Sequence, residues 1–278
     1  MSVTRNHLQL DSTRLRRHIV HMAYSGGSVH LGCAFSIVEL MATLYSKFIR
    51  YNPKNAADED RDYLILSKGH GIMATYACFR EIGWLEQSAL DRYFSDGSLL
   101  HGLCEWKIPG CEVATGSLGH GLPVAVGIAL GLKLKGRTQQ KVYCIVGDGE
   151  MNEGTMWESL LFAGHHKLDN LIVIVDANGF QAMGEIPAVM NLEPLAAKFN
   201  DFGFTARECN GHDLAALEAN LRELTETDPA EKPKALVART VKGKGVSFME
   251  GNNTWHYLRL DADLFKKAMN ELGGEVGA

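Results

Sequence analysis

The tightest constraint on this chain is a pair of unbroken apolar runs, Val142-Tyr143-Cys144-Ile145-Val146 and Leu171-Ile172-Val173-Ile174-Val175. A strand with one wet face alternates apolar and polar residues. A run without a polar break is buried on both faces, which is the pattern of central parallel strands. Parallel neighbours need a crossover, and residues 153–167 carry apolar residues at helical three- and four-residue spacing. The alternation continues along the chain. Helical spacing marks 9–24, 37–49, 72–82, a Gly/Ala-rich stretch at 119–136, 213–227 and 261–272. Shorter strand-like runs fall at 63–66, 204–208 and 235–238. This order predicts an α/β fold, a parallel twisted sheet with helices on both faces. No internal repeat, low-complexity tract or Pro/Ser-rich linker interrupts the 278 residues, so one domain over 1–278 is expected.

Composition narrows the function class. Lys+Arg 28 against Asp+Glu 33 gives a net charge of −5, which leaves no basic excess to neutralise a nucleic-acid backbone. No apolar run approaches the ~20 residues of a membrane helix. The early arginines (Arg5, Arg14, Arg16, Arg17) are not followed by the apolar block of a secretory signal. The six cysteines contain no CxxC pair and need no disulfide framework. A cytoplasmic protein without nucleic-acid or membrane partners is the expectation.

Chemistry concentrates where the first apolar run ends, at Gly147-Asp148-Gly149-Glu150. Asn178 lies thirty positions after Asp148, just past the second run. In a right-handed βαβ unit both strand ends share one sheet edge, where such folds bind ligands. Asp148, Asn178 and the backbone carbonyl of Phe180 offer three hard oxygen donors. That set suits Mg²⁺, which keeps water and phosphate oxygens as its other ligands. Gly147 and Gly149 let backbone N–H groups approach an anion. A Gly-Asp-Gly on its own is commonly only a strand-to-helix turn, so its surroundings decide. Zinc is disfavoured, because there is no HExxH and His165 and His166 are adjacent on a helix and point apart.

Those surroundings carry a family resemblance. The run from Gly147 through Glu153 and Trp157-Glu158, then His165-His166-Lys167-Leu168-Asp169-Asn170-Leu171, then Asp176-Ala177-Asn178-Gly179-Phe180-Gln181 closely resembles the thiamine-diphosphate motif of transketolases. The likeness covers about residues 10–260 and is greatest to the N-terminal subunit of two-chain transketolases. It implies the diphosphate-binding domain of the thiamine-diphosphate fold, with Mg²⁺ (or Ca²⁺ or Mn²⁺ in its place) held by Asp148, Asn178 and Phe180. The implied activity is transfer of a two-carbon ketol unit from a ketose to an aldose.

The resemblance extends residue by residue. His30 matches a histidine that reaches the substrate, although Ser25-Gly26-Gly27-Ser28 before it departs from the commoner Ser-Gly-His-Pro. His70, in Ser67-Lys68-Gly69-His70-Gly71, matches one near the diphosphate and the reacting carbon. His256, after Trp255, matches one that meets diphosphate and substrate. His101 matches a further substrate histidine, but Leu100-His101-Gly102-Leu103-Cys104-Glu105 departs from the usual Gly-His-Pro. Gly116 and Leu118 match a loop supporting the bent cofactor. His120 stands where a glutamine is often found, as a hydrogen-bonding variant or a structural residue. Gly147, Gly149 and Glu150 are implied cofactor contacts. Lys244 has two readings, a positive charge near the phosphates and a solvated loop lysine. Glu153 and Glu158 lie five residues apart, about 140° around a helix, and the ordinary reading of both is solvent exposure. The resemblance instead implies cofactor contact and catalysis for Glu153 and a subunit-interface position for Glu158.

Only 22 residues follow His256, too few for the family's pyrimidine-binding domain. The resemblance therefore implies a partner C-terminal subunit carrying that domain, in an α2β2 enzyme active only when assembled, with sugars or sugar phosphates as substrates. An unusual ketose, sulfonated or branched, is an open alternative. The α-subunit of a 2-oxoacid dehydrogenase is a rival with the same cofactor, and a non-catalytic subunit of the same fold is another. A dinucleotide-binding dehydrogenase fits worst, because no GxGxxG follows a strand.

Overall fold

The computed structural model describes residues 4–5, 8–227 and 231–274. Its centre is a parallel sheet of β1 (Tyr63–Leu66), β2 (Val142–Gly147), β3 (Leu171–Ala177), β4 (Thr205–Asn210) and β5 (Lys234–Arg239), in the spatial order β1-β2-β3-β5-β4. Alternate side chains of the apolar runs enter two separate cores. Tyr143, Ile145, Ile172, Ile174 and Leu236 face a core built with α1 (Ser12–Ser25), α3 (Val38–Thr43), α4 (Ile72–Glu81), α8 (Leu214–Arg222) and α9 (Ala262–Glu271). Val142, Cys144, Val146, Leu171, Val173 and Val175 face the other, with α5 (Gly121–Leu134), α6 (Gly154–His165) and α7 (Leu195–Asp201). The missing polar alternation is thus explained, since a side chain on β3 meets packed apolar atoms whichever way it points. Each such burial stabilises the fold by roughly 1.5–3 kcal/mol.

Local signals explain the helix ends. The Asp11 side chain accepts a hydrogen bond from the Arg14 N–H (2.7 Å) and caps α1. The helix expected over 37–49 is α-helical only to Thr43 and continues as a wider π-helical turn, Leu44–Phe48, which keeps Leu44, Tyr45 and Phe48 buried. The 213–227 helix likewise ends as α at Arg222 and widens over Glu223–Thr227. None of the helices among the described residues is long and apolar enough to cross a membrane.

The register positions the site. Gly147 of β2 lies opposite Asp176 of β3, and the Asp148 N–H donates to the Asp176 carbonyl at 3.2 Å. The Gly-Asp-Gly turn and the turn beyond β3 therefore emerge side by side at the carboxyl edge of the sheet.

Candidate active site

A cavity of about 560 Å³ opens at that edge, and Asp148, Asn178 and Phe180 all line it. Asp148 is 4% exposed. Its Oδ1 accepts from the Gly149 N–H at 2.8 Å and its Oδ2 from the Gly179 N–H at 2.6 Å. The Asn178 Nδ2 donates to Asp176, while its Oδ1 accepts from the Phe180 N–H at 3.1 Å. Gly149 is required by space, because a Cβ there would lie 2.6 Å from the Gln181 Cβ. Glu150 clamps the surrounding loops. Its carboxylate accepts from the Ser67 hydroxyl and from the N–H groups of Gly119 (2.9 Å) and Gly147 (3.1 Å).

The electrostatics fit a cation. Burial, then the charge of Asp176, pushes the Asp148 carboxyl up to about 7, only partly offset by the backbone bonds from Gly179 and Gly149. Its oxygens accept from backbone N–H donors, while Lys68, whose charge only partly offsets the burial, pairs with Asp176. Two further polar atoms of cavity-lining residues, Asn152 Oδ1 and Gln181 Nε2, are buried without a hydrogen-bond partner. Among the described residues, no group of three or more His, Cys, Asp or Glu is placed to hold a metal. One carboxylate, one amide oxygen and one backbone carbonyl form a donor set that leaves coordination positions for water and phosphate oxygens. The residues present therefore fit a hard divalent cation with a bound diphosphate.

Opposite Asp148 stand two buried lysines that the motif reading did not assign. The Lys68 ammonium bonds Asp176, which also accepts from Ser36, Thr240 and Asn178. Burial raises the Asp176 carboxyl, but Lys68 and these hydrogen bonds outweigh it and hold it below the usual range. Lys242 Nζ donates to Asn253 Oδ1 at 2.6 Å and lies 3.0 Å from His256 Nδ1. Lys242, not Lys244, is the lysine of Lys242-Gly243-Lys244-Gly245 that lines the cavity, which corrects the phosphate reading of Lys244. Gly243 takes φ 79° and turns the chain, so Lys244 points outward and pairs with Glu250 at 3.2 Å. Lys68 is flagged in sequence only by its neighbour His70. Asp176 is flagged by ending an apolar run. The Lys242 and Lys244 positions are not distinguishable from sequence.

Three histidines from distant segments meet at the cavity. His30 and His70 ring centroids are 4.7 Å apart, His30 and His256 5.1 Å, and His70 and His256 6.2 Å. His30 caps the short α2 (Leu31–Phe35) at φ 71°, a conformation L-residues rarely adopt, and its N–H donates to the His256 carbonyl at 3.2 Å. Strain of this kind gathers at functional sites. Burial lowers all three imidazoles. Added repulsion from His70 and Lys242 brings His30 to about 4, and from Lys242 and the other histidines brings His256 to about 3, while Lys68 lowers His70 further. His30 and His256 are therefore neutral at pH 7, and His70 is shifted in the same direction.

The remaining expected residues divide. Gly147, Glu150, Glu153 and Leu118 line the same cavity, Glu153 as an exposed residue at its rim. Gly116 lies one step back, between the His70 loop and Leu103, where its φ of 139° and a Cβ distance of 2.7 Å to Leu103 Cδ1 exclude a side chain. His101 lines a second cavity instead, in company with His30 and His70. The exposed His120 ring lies 3.1 Å from the Leu118 carbonyl, outside both cavities. Glu158 is exposed on α6. Cys33, another lining residue, lies with its Sγ 3.6 Å from His256 Nδ1.

This geometry can be set beside known proteins. The model of the transketolase, thiamine diphosphate binding domain matches residues 11–276. The chain belongs to that family. It is 38% identical over 270 residues to an apulose-4-phosphate transketolase subunit of Actinobacillus succinogenes, covering 96% of each protein. It is 34% identical over 276 residues to a 6-deoxy-6-sulfo-D-fructose transketolase subunit of a Clostridium species, covering 99% of each. Among solved structures it resembles the transketolase of Campylobacter jejuni with a TM-score of 0.88 at 30% identity, covering 99% of this chain and 44% of that one. For the Leishmania mexicana transketolase the TM-score is 0.89 at 29% identity, with coverage of 95% and 41%. The chain thus spans about two-fifths of these solved transketolases, while it matches the Actinobacillus and Clostridium subunits over nearly their whole length. It is an enzyme subunit of a transferase family with a thiamine-diphosphate-binding fold.

Proposed function

We propose that this chain is the diphosphate-binding subunit of a two-chain transketolase, transferring a two-carbon ketol unit from a ketose to an aldose with thiamine diphosphate and Mg²⁺. The observation that carries the reading is that Asp148 and Asn178, at adjacent strand ends, line one cavity with His30, His70 and His256. Asp148, Asn178 and the Phe180 carbonyl would hold the cation, and Lys68 and Lys242 would supply positive charge to the diphosphate. Bound thiamine diphosphate supplies the nucleophilic carbon that allows the bond beside the ketose carbonyl to break and re-form.

The chain's own groups manage protons and orientation. The Lys242 ammonium can only donate, so its approach to His256 Nδ1 leaves the ring hydrogen on Nε2. His30 and His70 can each donate to a sugar oxygen or accept its proton, whereas His256, with its hydrogen on Nε2, can donate to one. His101 lines the adjoining cavity with His30 and His70, and there it would meet the farther hydroxyls of a longer sugar. Glu153 is the rim carboxylate proposed to act beside the cofactor.

The remainder of the catalytic machinery belongs, in this reading, to a C-terminal partner subunit carrying the pyrimidine-binding domain, in an α2β2 assembly. The names of the Actinobacillus and Clostridium relatives favour a second reading for the substrate, a branched or sulfonated ketose in place of a pentose phosphate. The test is ketol transfer by the purified chain, alone and with its partner, with and without thiamine diphosphate and Mg²⁺. Transfer is expected only from the assembled pair with both present. Strong transfer by the single chain would remove the two-chain reading, and CO₂ release from a 2-oxo acid in its place would point to the dehydrogenase rival.

A further inference from the structure

The cofactor cavity shares His30 and His70 with a second cavity of about 350 Å³, whose lining includes Phe94, His101, Glu105 and Arg259. Arg259 stands three residues beyond His256 on an exposed stretch and, among the described residues, has no hydrogen bond or ion pair. Other arginines of the chain are committed, Arg16 to Glu39, Arg50 to Asp62, Arg61 to Glu112 and Arg239 to Glu193. Glu105, though it lines the same cavity, makes no ion pair with Arg259. Among the described residues Arg259 is the sole Lys or Arg lining this cavity, whereas Lys68 and Lys242 line the first. A guanidinium keeps its charge at any physiological pH, and its fork of N–H donors matches a tetrahedral oxyanion.

We propose that Arg259 recognises the anionic terminus, phosphate or sulfonate, of the sugar whose reacting end lies at the His30, His70 and His256 cluster, and so determines substrate specificity from within this subunit. The inference rests on the ketol-transfer reading. Within this chain the second cavity adjoins the cluster through His30 and His70, and it offers the distal carbons of a sugar a path whose lining includes His101 and Arg259. Charge at the far end of that path selects substrates by their tails and leaves the chemistry at the carbonyl unchanged.

The test uses the assembled two-chain enzyme carrying Arg259→Gln or Arg259→Lys. Each is assayed with a ketose ending in phosphate, its sulfonate analogue and the neutral ketose of the same stereochemistry. For Arg259→Gln, kcat/KM is expected to fall about tenfold or more through KM for the anionic ketose it serves. The neutral ketose should change less than twofold, and the lysine variant should recover part of the loss. The anion with the larger loss identifies the terminus. Equal losses on all three ketoses, as a contact to the partner chain would give, or no loss on any, overturn the proposal. Calorimetric binding of a pentose 5-phosphate and of its sulfonate analogue to the assembled enzyme separates the two readings. Affinity that depends on Arg259 in an enzyme without ketol transfer sinks the activity and keeps the recognition, whereas affinity unchanged by Arg259→Gln sinks the recognition.

Discussion

At the scale of single residues, Asp148 is a buried carboxyl whose surroundings disfavour its charge. Its folded carboxyl is raised to about 7 by burial and by Asp176. A raised acid contributes stability that is present below the unfolded carboxylate value and is lost as pH rises through 7, so the cation-free chain weakens over that window. A divalent ion reverses the sign by supplying the missing counter-charge. Thiamine diphosphate with Mg²⁺ at a hundred times its Kd should add about 2.7 kcal/mol, or ~5–10 °C in Tm for a chain of this size. Asp148→Asn should abolish that rise in a thermal melt, and an undiminished rise would remove Asp148 from the cation site. Lys242→Met should likewise weaken cofactor binding about tenfold by calorimetry, with less than a twofold effect from Lys244→Met. This second pair shows the limit of sequence at this scale. Asp148 and Asn178 are legible because each closes an apolar run whose end must lie at the sheet edge. Which lysine of Lys-Gly-Lys-Gly turns inward depends on Gly243, where a Cβ would lie 2.3 Å from the Met249 carbonyl oxygen.

At the scale of elements, the site depends on α1 and α3 holding α2 and its His30 in place. Glu39 of α3 bonds Arg16 of α1 through both oxygens, at 2.6 and 2.8 Å, and accepts from His212 in the turn before α8 at 2.8 Å. Burial raises the Glu39 carboxyl, yet the hydrogen bonds from His212 and Arg16 and the charge of Arg16 outweigh it and lower it to about 2. A depressed acid contributes stability above its unfolded value, and this stability is lost as pH falls toward 2. Glu39→Gln should therefore cost about 2–3 kcal/mol at pH 7 in urea unfolding. The difference from wild type should shrink below pH 4.5, the ordinary value for a glutamate, and a pH-independent difference would show that packing rather than charge is lost. Elements covered on both sides, such as β2 and β3, were fully legible, because burial on two faces leaves an unbroken apolar run. The edge strand β4, with a half-exposed pattern, was legible as the run at 204–208 but not to its end at Asn210, and the widened turns after α3 and α8 were not legible, because their geometry is set by the neighbours they pack against.

At the scale of the whole molecule, the two cores differ in how well the chain covers them. On the face bearing α1, α3, α4, α8 and α9 the exposed large apolar residues, Tyr24 and Leu214, are each 39% exposed, whereas α5 and α6, which pack against each other, carry more exposed apolar groups. Leu161 is 64% exposed and Phe162 42% on α6, and Leu134 is 79% exposed on α5. Glu158, one turn from Leu161 and Phe162 on α6, was expected at a subunit interface, and its exposure here leaves it free to meet a second chain. Exposed apolar patches of this kind mark association surfaces. If this face receives the partner subunit, Leu161→Arg should leave the isolated chain's Tm and its Mg²⁺-dependent cofactor binding nearly unchanged, since exposed substitutions shift stability by only about 0.5 kcal/mol. Assembly with the partner, followed by sedimentation, should weaken about tenfold or more, because an arginine placed in an apolar interface is desolvated without a counter-charge. Ketol transfer should fall at low subunit concentration and return as the partner is raised, a mass-action signature that damage to the active site cannot produce. Full activity at every partner concentration would instead assign the partner to another face and leave Leu161 and Phe162 unexplained.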